Sequence, residues 1–284
     1  MSSFLFSYRL LQEPPGGHRY TTDDLLTAHV ASLHCPASGT FRHVDLGCGN
    51  GSVLLGLHAV TGRRSRGVGV EARSQAVRIA RASGAYNGFG GDVEVVRCDF
   101  RDVDALRAAV DGAGGGEGAK PNIVTGTPPY FTVSSSGSDG PNPTTAVVQG
   151  GMPTNLQSSP ARCEFRGGVE AYVIAGLRLL GVGGKVVVCV NWPNRKRVYD
   201  GCEGAGGSVV EEWEVEGTRG RGPLFGVWVV EKVGEEEKER DVKTVKLTVR
   251  EDGRWTQDYA EIMKNMGIPT VGVADSPLTQ TLDR

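Results

Sequence analysis

An apolar stretch that carries Asp45 runs directly into a turn in which glycine occupies alternate positions of residues 47–51. Glycine adopts turn dihedrals that a Cβ would oppose, and it lets the backbone approach a ligand closely. Ser52 follows, where a dinucleotide fingerprint would have its third glycine. Twenty residues beyond the last of these glycines, another short apolar run ends on Glu71. A carboxylate at the tip of the next strand suits a ribose diol, so the spacing predicts a nucleoside site.

A second carboxylate, Asp99, follows the alternating valines of residues 92–97, which predict a third strand. At the carboxyl end of that strand, with Phe100 beside it, Asp99 is placed to accept a hydrogen bond from the exocyclic amine of adenine. The alternative is that Asp99 caps the helix predicted at residues 102–110. We favour the role in ligand binding, because the tip of this strand is where the adenine amine would need an acceptor.

The glycine turn and Glu71 together resemble the nucleoside-binding half of class I S-adenosylmethionine (SAM) methyltransferases. The motif alone leaves open an ordinary βαβ unit with a glycine turn. The resemblance implies SAM as the cofactor. It also implies that SAM is contacted by Thr22, Asp45, Gly47, Cys48, Gly49, Gly51, Glu71, Ala72, Asp99, Phe100 and Thr127.

Thr127, Pro128, Pro129 and Tyr130 follow the strand predicted at residues 121–126. T-P-P-Y differs in one residue from N-P-P-Y, the signature of methyltransferases that act on planar, conjugated amino nitrogens. Such a nitrogen is a poor nucleophile, and acceptors on its N–H groups stabilise the charge that develops during methyl transfer. The resemblance implies that Thr127 and the Pro128 carbonyl are these acceptors, and that Tyr130 stacks on a flipped base. The alternative is an ordinary rigid turn.

Threonine at position 127 has its oxygen one bond closer to the backbone than the oxygen of asparagine. The loss of an acceptor in the transition state costs about 3–4 kcal/mol, by analogy with oxyanion donors. We therefore expect a slow enzyme. The alternative is a fold that is retained for binding SAM or RNA without catalysis.

Further segments match one family in the same order along the chain. They are G-H-R-Y-T-T-D at 17–23 followed by Leu25 and Leu26, the glycine motif, T-P-P-Y-F, A-R-x-E at 161–164, and L-x-V-x-x-D-G-x-W-T-x-x-Y at 247–259. Over about residues 8–268 the chain resembles the bacterial adenine-N6 methyltransferases that modify valine tRNA beside its anticodon. The resemblance implies structured RNA, above all tRNA, as the substrate. Methylation of a protein glutamine amide is the enzymatic alternative, because it uses the same acceptor chemistry.

The elements that position these residues alternate between strand and helix, which favours one α/β domain over residues 1–284. We expect a helical lead-in at 1–40, in which Thr22 is the N-cap of the helix. We also expect a long substrate-facing loop at 131–161 and a loose tail at 270–284. The family resemblance implies a Rossmann-like fold in which a seven-stranded, mostly parallel sheet ends in a reversed hairpin, with helices on both faces.

Composition and charge argue against several classes of protein. A hydrophobic content of 39% can fill a core, and a net charge of −2 argues against a protein that coats nucleic acid by bulk charge. The six cysteines show no C-x-x-C pairing or zinc spacing, so we expect no metal and a reducing compartment, the cytoplasm or an organelle. No apolar run approaches 18 residues, so we expect no membrane span. The sequence does not determine the oligomeric state.

Basic residues flank both edges of the predicted sheet. The segment 195–197, Arg-Lys-Arg, leaves the fifth strand at its carboxyl end, whereas the arginines of residues 63–66 precede a strand. Ligands of parallel α/β sheets bind at the carboxyl edge. We therefore predict that RNA contacts residues 195–197, with Arg19 as a weaker candidate, and that residues 63–66 form a solvated loop.

Overall fold

A computed structural model describes residues 2–5, 8–11, 20–113, 118–134, 147–148, 163–234 and 241–270 of the chain. Several predictions from the sequence lie wholly or partly outside these residues. They concern the segment 17–19, most of the loop at 131–161, the A-R pair at 161–162 and the tail past residue 270.

The described elements follow the predicted alternation of strands and helices. The strands are β1 (Ser2–Leu5), β2 (Tyr8–Leu11), β3 (Phe41–Leu46), β4 (Ser65–Glu71), β5 (Val93–Arg97), β6 (Ile123–Gly126), β7 (Val133–Ser134), β8 (Val147–Val148), β9 (Lys185–Asn191), β10 (Gly207–Glu216), β11 (Pro223–Lys232), β12 (Lys243–Thr248), β13 (Arg250–Glu251) and β14 (Arg254–Trp255). The helices are α1 (Thr22–Leu33), α2 (Ser52–Val60), α3 (Ser74–Tyr86), α4 (Val103–Gly112), α5 (Val169–Leu179), α6 (Lys196–Cys202) and α7 (Gln257–Asn265). A 3₁₀ turn at Trp192–Asn194 precedes α6.

The main sheet has eight strands in the order β12-β10-β11-β9-β6-β3-β4-β5. All its neighbouring strands pair in parallel except β11, which runs antiparallel to both β9 and β10. The predicted reversed hairpin is therefore β10–β11. The predicted count of seven strands is wrong, because β12 pairs with β10 as an eighth strand. Ion pairs between the two strands, Lys243 with Glu211 and Lys246 with Glu214, accompany this pairing.

Helices cover both faces of the sheet, so its central strands are buried on both sides. Val186–Val190 of β9 is fully buried, which is why this stretch is continuously apolar rather than alternating. One core cluster joins the sheet to α4 and α5, and a second joins it to α1, α2 and α7. This two-sided packing fixes the strand ends that carry the predicted site.

The N-terminal lead-in differs from its prediction in two ways. Its first described residues form the hairpin β1–β2, in which Leu10 is fully buried beside α3 and the Leu11 N–H donates to Ser83 Oγ at 3.0 Å. The N-cap of α1 is Thr21 rather than Thr22. The reason is a capping box, in which the Thr21 N–H donates to Asp24 Oδ2 at 3.1 Å.

Candidate active site

A cleft lies at the carboxyl edge of β3, β4, β5 and β6, where the predicted residues converge. Of the predicted site residues, it is lined by Gly47, Cys48, Gly49, Glu71, Ala72, Asp99, Phe100, Thr127 and Pro129. It is also lined by residues that sequence reasoning did not select: Asp24, Asn50, Ser52, Val70, Arg73, Cys163, Arg166, Gly167 and Tyr172. Five predicted residues do not line it: Thr22, Asp45, Gly51, Pro128 and Tyr130.

The glycine turn has a backbone that other residues rarely adopt. Gly47, Gly49 and Gly51 have φ values of +62°, +55° and +88°. A Cβ on Gly47 would lie 2.5 Å from the hydroxyl of Tyr172, whereas a Cβ on Gly49 would make only ordinary contacts, with Arg73 Nη2 at 3.9 Å and the Gly47 carbonyl oxygen at 4.0 Å. Gly47 is thus required both for space and for its dihedral angle, and Gly49 for its dihedral angle. The turn leaves its backbone open to the cleft.

Glu71 joins this turn to the end of β4. Its Oε2 accepts a hydrogen bond from the Gly49 N–H at 2.9 Å, and its Oε1 accepts one from the Arg73 N–H at 2.7 Å. The residue is only 6% exposed, and it lines the cleft. A carboxylate has about four lone-pair sites, so it can also accept from the two hydroxyls of a ribose. These residues therefore fit a nucleoside.

Replacing Glu71 with glutamine is expected to weaken SAM binding about 10- to 150-fold. The amide nitrogen would face an N–H donor of Gly49 or Arg73, and hydrogen bonds to a charged group contribute about 1.5–3 kcal/mol. Isothermal titration calorimetry with SAM measures the change, and Glu94→Gln on the exposed part of β5 is a matched control. An affinity equal to that of the wild type, with the fold intact, would remove Glu71 from the site.

Asp99 lies in the cleft and does not cap the helix that follows it. The N-cap of α4 is Asp102, which accepts from the Ala105 N–H at 3.0 Å, so the capping alternative is wrong. Asp99 instead accepts from Arg101 Nε and Nη2 at 2.9 and 2.7 Å. These hydrogen bonds lower the pKa of its carboxyl group, which stays ionised and able to accept from an amine. Phe100 provides a nearly buried apolar wall beside it.

Asp45 lies beneath the cleft rather than in its lining. It is 2% exposed and accepts from Thr125 Oγ1 at 2.7 Å and from the backbone N–H of Leu54. Burial raises the pKa of its carboxyl group to about 7. Asp45 therefore holds the start of α2 and the end of β6 in place. Thr22 is similarly remote from the lining, and its side chain hydrogen-bonds Tyr259.

The T-P-P-Y turn is fixed through the hydroxyl of its tyrosine. Tyr130 donates to Asp23 Oδ2 at 2.5 Å, and the same hydroxyl is 3.4 Å from Cys189 Sγ. Pro128 is buried, and Pro129 lines the cleft. The anchored hydroxyl holds the Tyr130 ring in one orientation. The stacking of this ring on a base stays a prediction.

Thr127 meets an unpredicted carboxylate in the cleft. Asp24, 5% exposed, accepts hydrogen bonds from the side chains of Thr127 and Ser52 as well as from the Thr21 N–H. Burial raises the pKa of its carboxyl group to about 6, and these hydrogen bonds partly oppose the rise. Asp24 is not among the site residues predicted from the sequence. The signal that could have found it was its position three residues after Thr21, the spacing of a capping box, which turns it inward.

The basic segment after β9 divides between the protein's own carboxylates and solvent. Arg197 donates from Nη1 and Nη2 to Glu164 at 2.7 and 2.9 Å, and from Nη2 to Glu170 at 2.7 Å. Its guanidinium group is thus engaged within the protein, which corrects its assignment as a contact to RNA. Lys196, 83% exposed, pairs with the exposed Asp200, and the exposed Arg195 lies over the ring of Trp192, so both side chains remain accessible at the carboxyl edge of the sheet.

Neither a membrane-spanning helix nor a metal-binding cluster occurs in the part of the chain that the structure describes. No helix there is long and apolar enough to cross a membrane. The same residues contain no group of three or more His, Cys, Asp or Glu side chains that could hold a metal ion.

The structure resembles solved methyltransferases. A predicted O-methyltransferase from Agrobacterium tumefaciens is 14% identical, with a TM-score of 0.56 over 90% of this chain and all of that one. The methyltransferase subunit of a type I restriction-modification system from Streptococcus thermophilus is 16% identical, with a TM-score of 0.51 over 86% of this chain and 48% of that one. At these identities the likeness shows the fold: a Rossmann-like α/β methyltransferase fold, as predicted. No protein-family model and no curated protein matches the sequence.

Proposed function

We propose that the protein is a SAM-dependent N-methyltransferase that modifies the exocyclic amino group of adenine in tRNA or another structured RNA. The observation that carries this proposal is the convergence of two groups of residues on one cleft. The glycine turn with Glu71 forms its nucleoside side, and Thr127 and Pro129 of the T-P-P-Y turn form its acceptor side. The methyltransferase fold of the two similar structures supports the same class of reaction.

SAM, when bound, supplies the methyl group and a sulfur that takes up the electron pair of the broken bond. The chain's own residues bind SAM and orient it and the substrate amine. Glu71 would accept from the ribose hydroxyls of SAM, Asp99 would accept from its adenine amine, and the glycine turn would make room for its methionine part. At the acceptor nitrogen, the Thr127 oxygen accepts one N–H group, which stabilises the positive charge that develops there. The resemblance to N-P-P-Y assigns the second N–H group to the carbonyl of Pro128, which itself does not line the cleft.

Two observations support RNA as the substrate. The chain resembles the tRNA-modifying family, and the exposed basic residues Arg195 and Lys196 lie at the carboxyl edge of the sheet, where the cleft also lies. Loss of one phosphate contact lowers the salt dependence of binding by about 0.7–0.9 in the log–log slope. A replacement of Lys196 should therefore change this slope more than a replacement of Arg63, which lies at the opposite edge.

The test is to incubate RNA with the protein and methyl-labelled SAM and to identify labelled nucleosides by mass spectrometry. N6-methyladenosine is the expected product. Label in glutamine of added protein substrates would favour the alternative acceptor. SAM binding without methyl transfer to any substrate would favour a binding protein on this fold.

Replacing Thr127 with asparagine is expected to raise turnover about tenfold. Asparagine moves the acceptor oxygen one bond further from the backbone, and about 1.4 kcal/mol of additional transition-state stabilisation corresponds to a tenfold rate. SAM affinity should change little, because residue 127 faces the acceptor nitrogen. Steady-state kinetics on the RNA substrate measures the gain. A lower turnover would show that threonine is a working part of a differently shaped acceptor site.

A further inference from the structure

The two acidic residues at the start of α1 make different contacts. Asp23 accepts from the Tyr130 hydroxyl, outside the lining of the cleft. Asp24 lines the cleft beside Thr127 and accepts from its hydroxyl and from that of Ser52. A nearly buried carboxylate thus contacts the residue that replaces asparagine in the acceptor motif.

A threonine hydroxyl by itself is an ambiguous partner for a substrate N–H, because it can rotate to donate or to accept. The carboxyl group of Asp24 has a pKa of about 6, so above pH 7 it is ionised and can only accept. The Thr127 hydroxyl therefore donates its hydrogen bond to Asp24. The lone pairs of the Thr127 oxygen that remain are free to accept from a ligand in the cleft.

We propose that Asp24 is a positioning residue that fixes the Thr127 hydroxyl as a hydrogen-bond acceptor for the substrate amine and that receives a proton through it. This inference rests on the proposed function and deepens it. It assigns to the Asp24–Thr127 pair the role that a single asparagine has in N-P-P-Y, with a proton acceptor added. In Thr127→Asn the amide oxygen accepts from the substrate amine and the proton leaves to water, so the tenfold gain expected for that variant applies where methyl transfer, and not proton release, limits turnover. The proposed role requires that the atom that receives the methyl group carry at least one proton, as the adenine amino nitrogen does.

The step balances in atoms and charge. The bond from the amino nitrogen to the methyl carbon forms while the bond from that carbon to the sulfur breaks, with its electron pair staying on sulfur. One proton of the methylated nitrogen passes to the Thr127 oxygen. The hydroxyl proton of Thr127 passes to Asp24 in the same exchange, so Asp24 becomes neutral and then releases its proton to water.

Other titratable groups near Asp24 must be held constant in any test. They are Asp23 on the same helix, Asp45 of β3, Glu71 at the end of β4, Arg73 in the cleft, Cys189 of β9 and Tyr130 of the acceptor turn. Comparing variants at position 127 leaves all of them unchanged.

The first measurement needs no substrate. The pKa of the Asp24 carboxyl is measured by ¹³C NMR titration, with the spectrum of Asp24→Asn to assign its resonance. Thr127→Val, which keeps the shape but removes the hydroxyl, should raise this pKa further above about 6, because one hydrogen bond to the charged form is lost. Thr127→Asn should leave it close to the wild-type value, since the amide N–H can donate in place of the hydroxyl. An unchanged pKa in Thr127→Val would overturn the inference.

The second measurement is a double-mutant cycle on turnover with the RNA substrate. Asp24→Asn and Thr127→Val should each lower turnover about 100-fold at pH 8, and the double variant should be no slower than either alone. The acidic limb near pH 6 in the wild-type profile should disappear in Asp24→Asn. Asp258→Asn, which removes an exposed first-turn carboxylate of α7, is the matched control and should leave turnover unchanged.

The possible results separate this inference from the proposed function. Additive losses in the cycle, or an acidic limb that persists in Asp24→Asn, would overturn the proton path. A shifted pKa together with no methyl transfer to any substrate would instead refute the proposed function and the proton transfer with it, and would leave Asp24 as the residue that orients Thr127.

Discussion

Replacing Thr127 with valine is expected to lower the rate of methyl transfer about 100- to 1,000-fold. Valine has nearly the same shape as threonine, so the change removes the acceptor oxygen together with the hydroxyl proton that it donates to Asp24. Removing one preorganised partner of a developing charge costs about 2.7–4 kcal/mol of transition-state stabilisation. Single-turnover kinetics with saturating SAM measures the loss in the chemical step.

Calorimetry with SAM separates this effect from cofactor binding, and the affinity should be unchanged in Thr127→Val. Thr244→Val is a matched control, because the same substitution is made on the exposed strand β12, far along the sheet from the cleft. If Thr127→Val retained the wild-type rate, the oxygen of residue 127 could not be the acceptor. The proposed chemistry of the T-P-P-Y turn would then be wrong.

The second large effect concerns stability. Replacing Arg197 with methionine is expected to lower the free energy of unfolding by about 3 kcal/mol, because it leaves Glu164 without its bidentate partner. The side chain of Glu164 is 5% exposed, whereas that of Arg197 is 23% exposed, which places the cost at the low end for a broken buried pair. Urea denaturation, followed by circular dichroism, measures the change.

Lys196→Met is the control for this experiment. Lys196 is the neighbour of Arg197 in sequence, but it is 83% exposed and pairs only with the exposed Asp200 among the described residues. We expect Lys196→Met to leave stability unchanged but to lower the salt dependence of RNA binding. Arg197→Met should lower stability and leave the salt dependence of RNA binding unchanged. If Arg197→Met left stability unchanged and weakened RNA binding, the residue would be a contact to RNA after all.

These two residues illustrate what a local pattern does and does not contain. Residues 195–197 are three consecutive basic side chains, and the sequence predicted one role for all of them. In the structure Arg197 contacts Glu164, 33 residues away, while Lys196 remains exposed. The difference arises because α6 turns one side chain towards α5 and its neighbour towards solvent, and no local pattern specifies which partner lies there.

The fold class and the nucleoside side of the cleft were determined by the sequence itself. The apolar stretch that carries Asp45 forms β3, Phe41–Leu46, and α2, Ser52–Val60, follows the glycine turn, which is the order of strand, turn and helix that this motif indicates. The glycine turn was predictable because positive φ values at Gly47 and Gly49 require glycine in the sequence. Such signals are local, so a single sequence carries them.

The contacts on the acceptor side of the cleft depend on tertiary structure and could not be predicted from the sequence. The pairs that build it join distant parts of the chain: Tyr130 and Asp23 are 107 residues apart, and Asp24 meets Thr127 across a similar separation. The sequence showed threonine in place of asparagine and therefore predicted a weakened site. Packing of α1 against the sheet brings a carboxylate to that threonine, and burial raises the pKa of the carboxyl group to about 6. Neither the partner nor the pKa follows from local residue types, because both depend on which elements the folded core brings together.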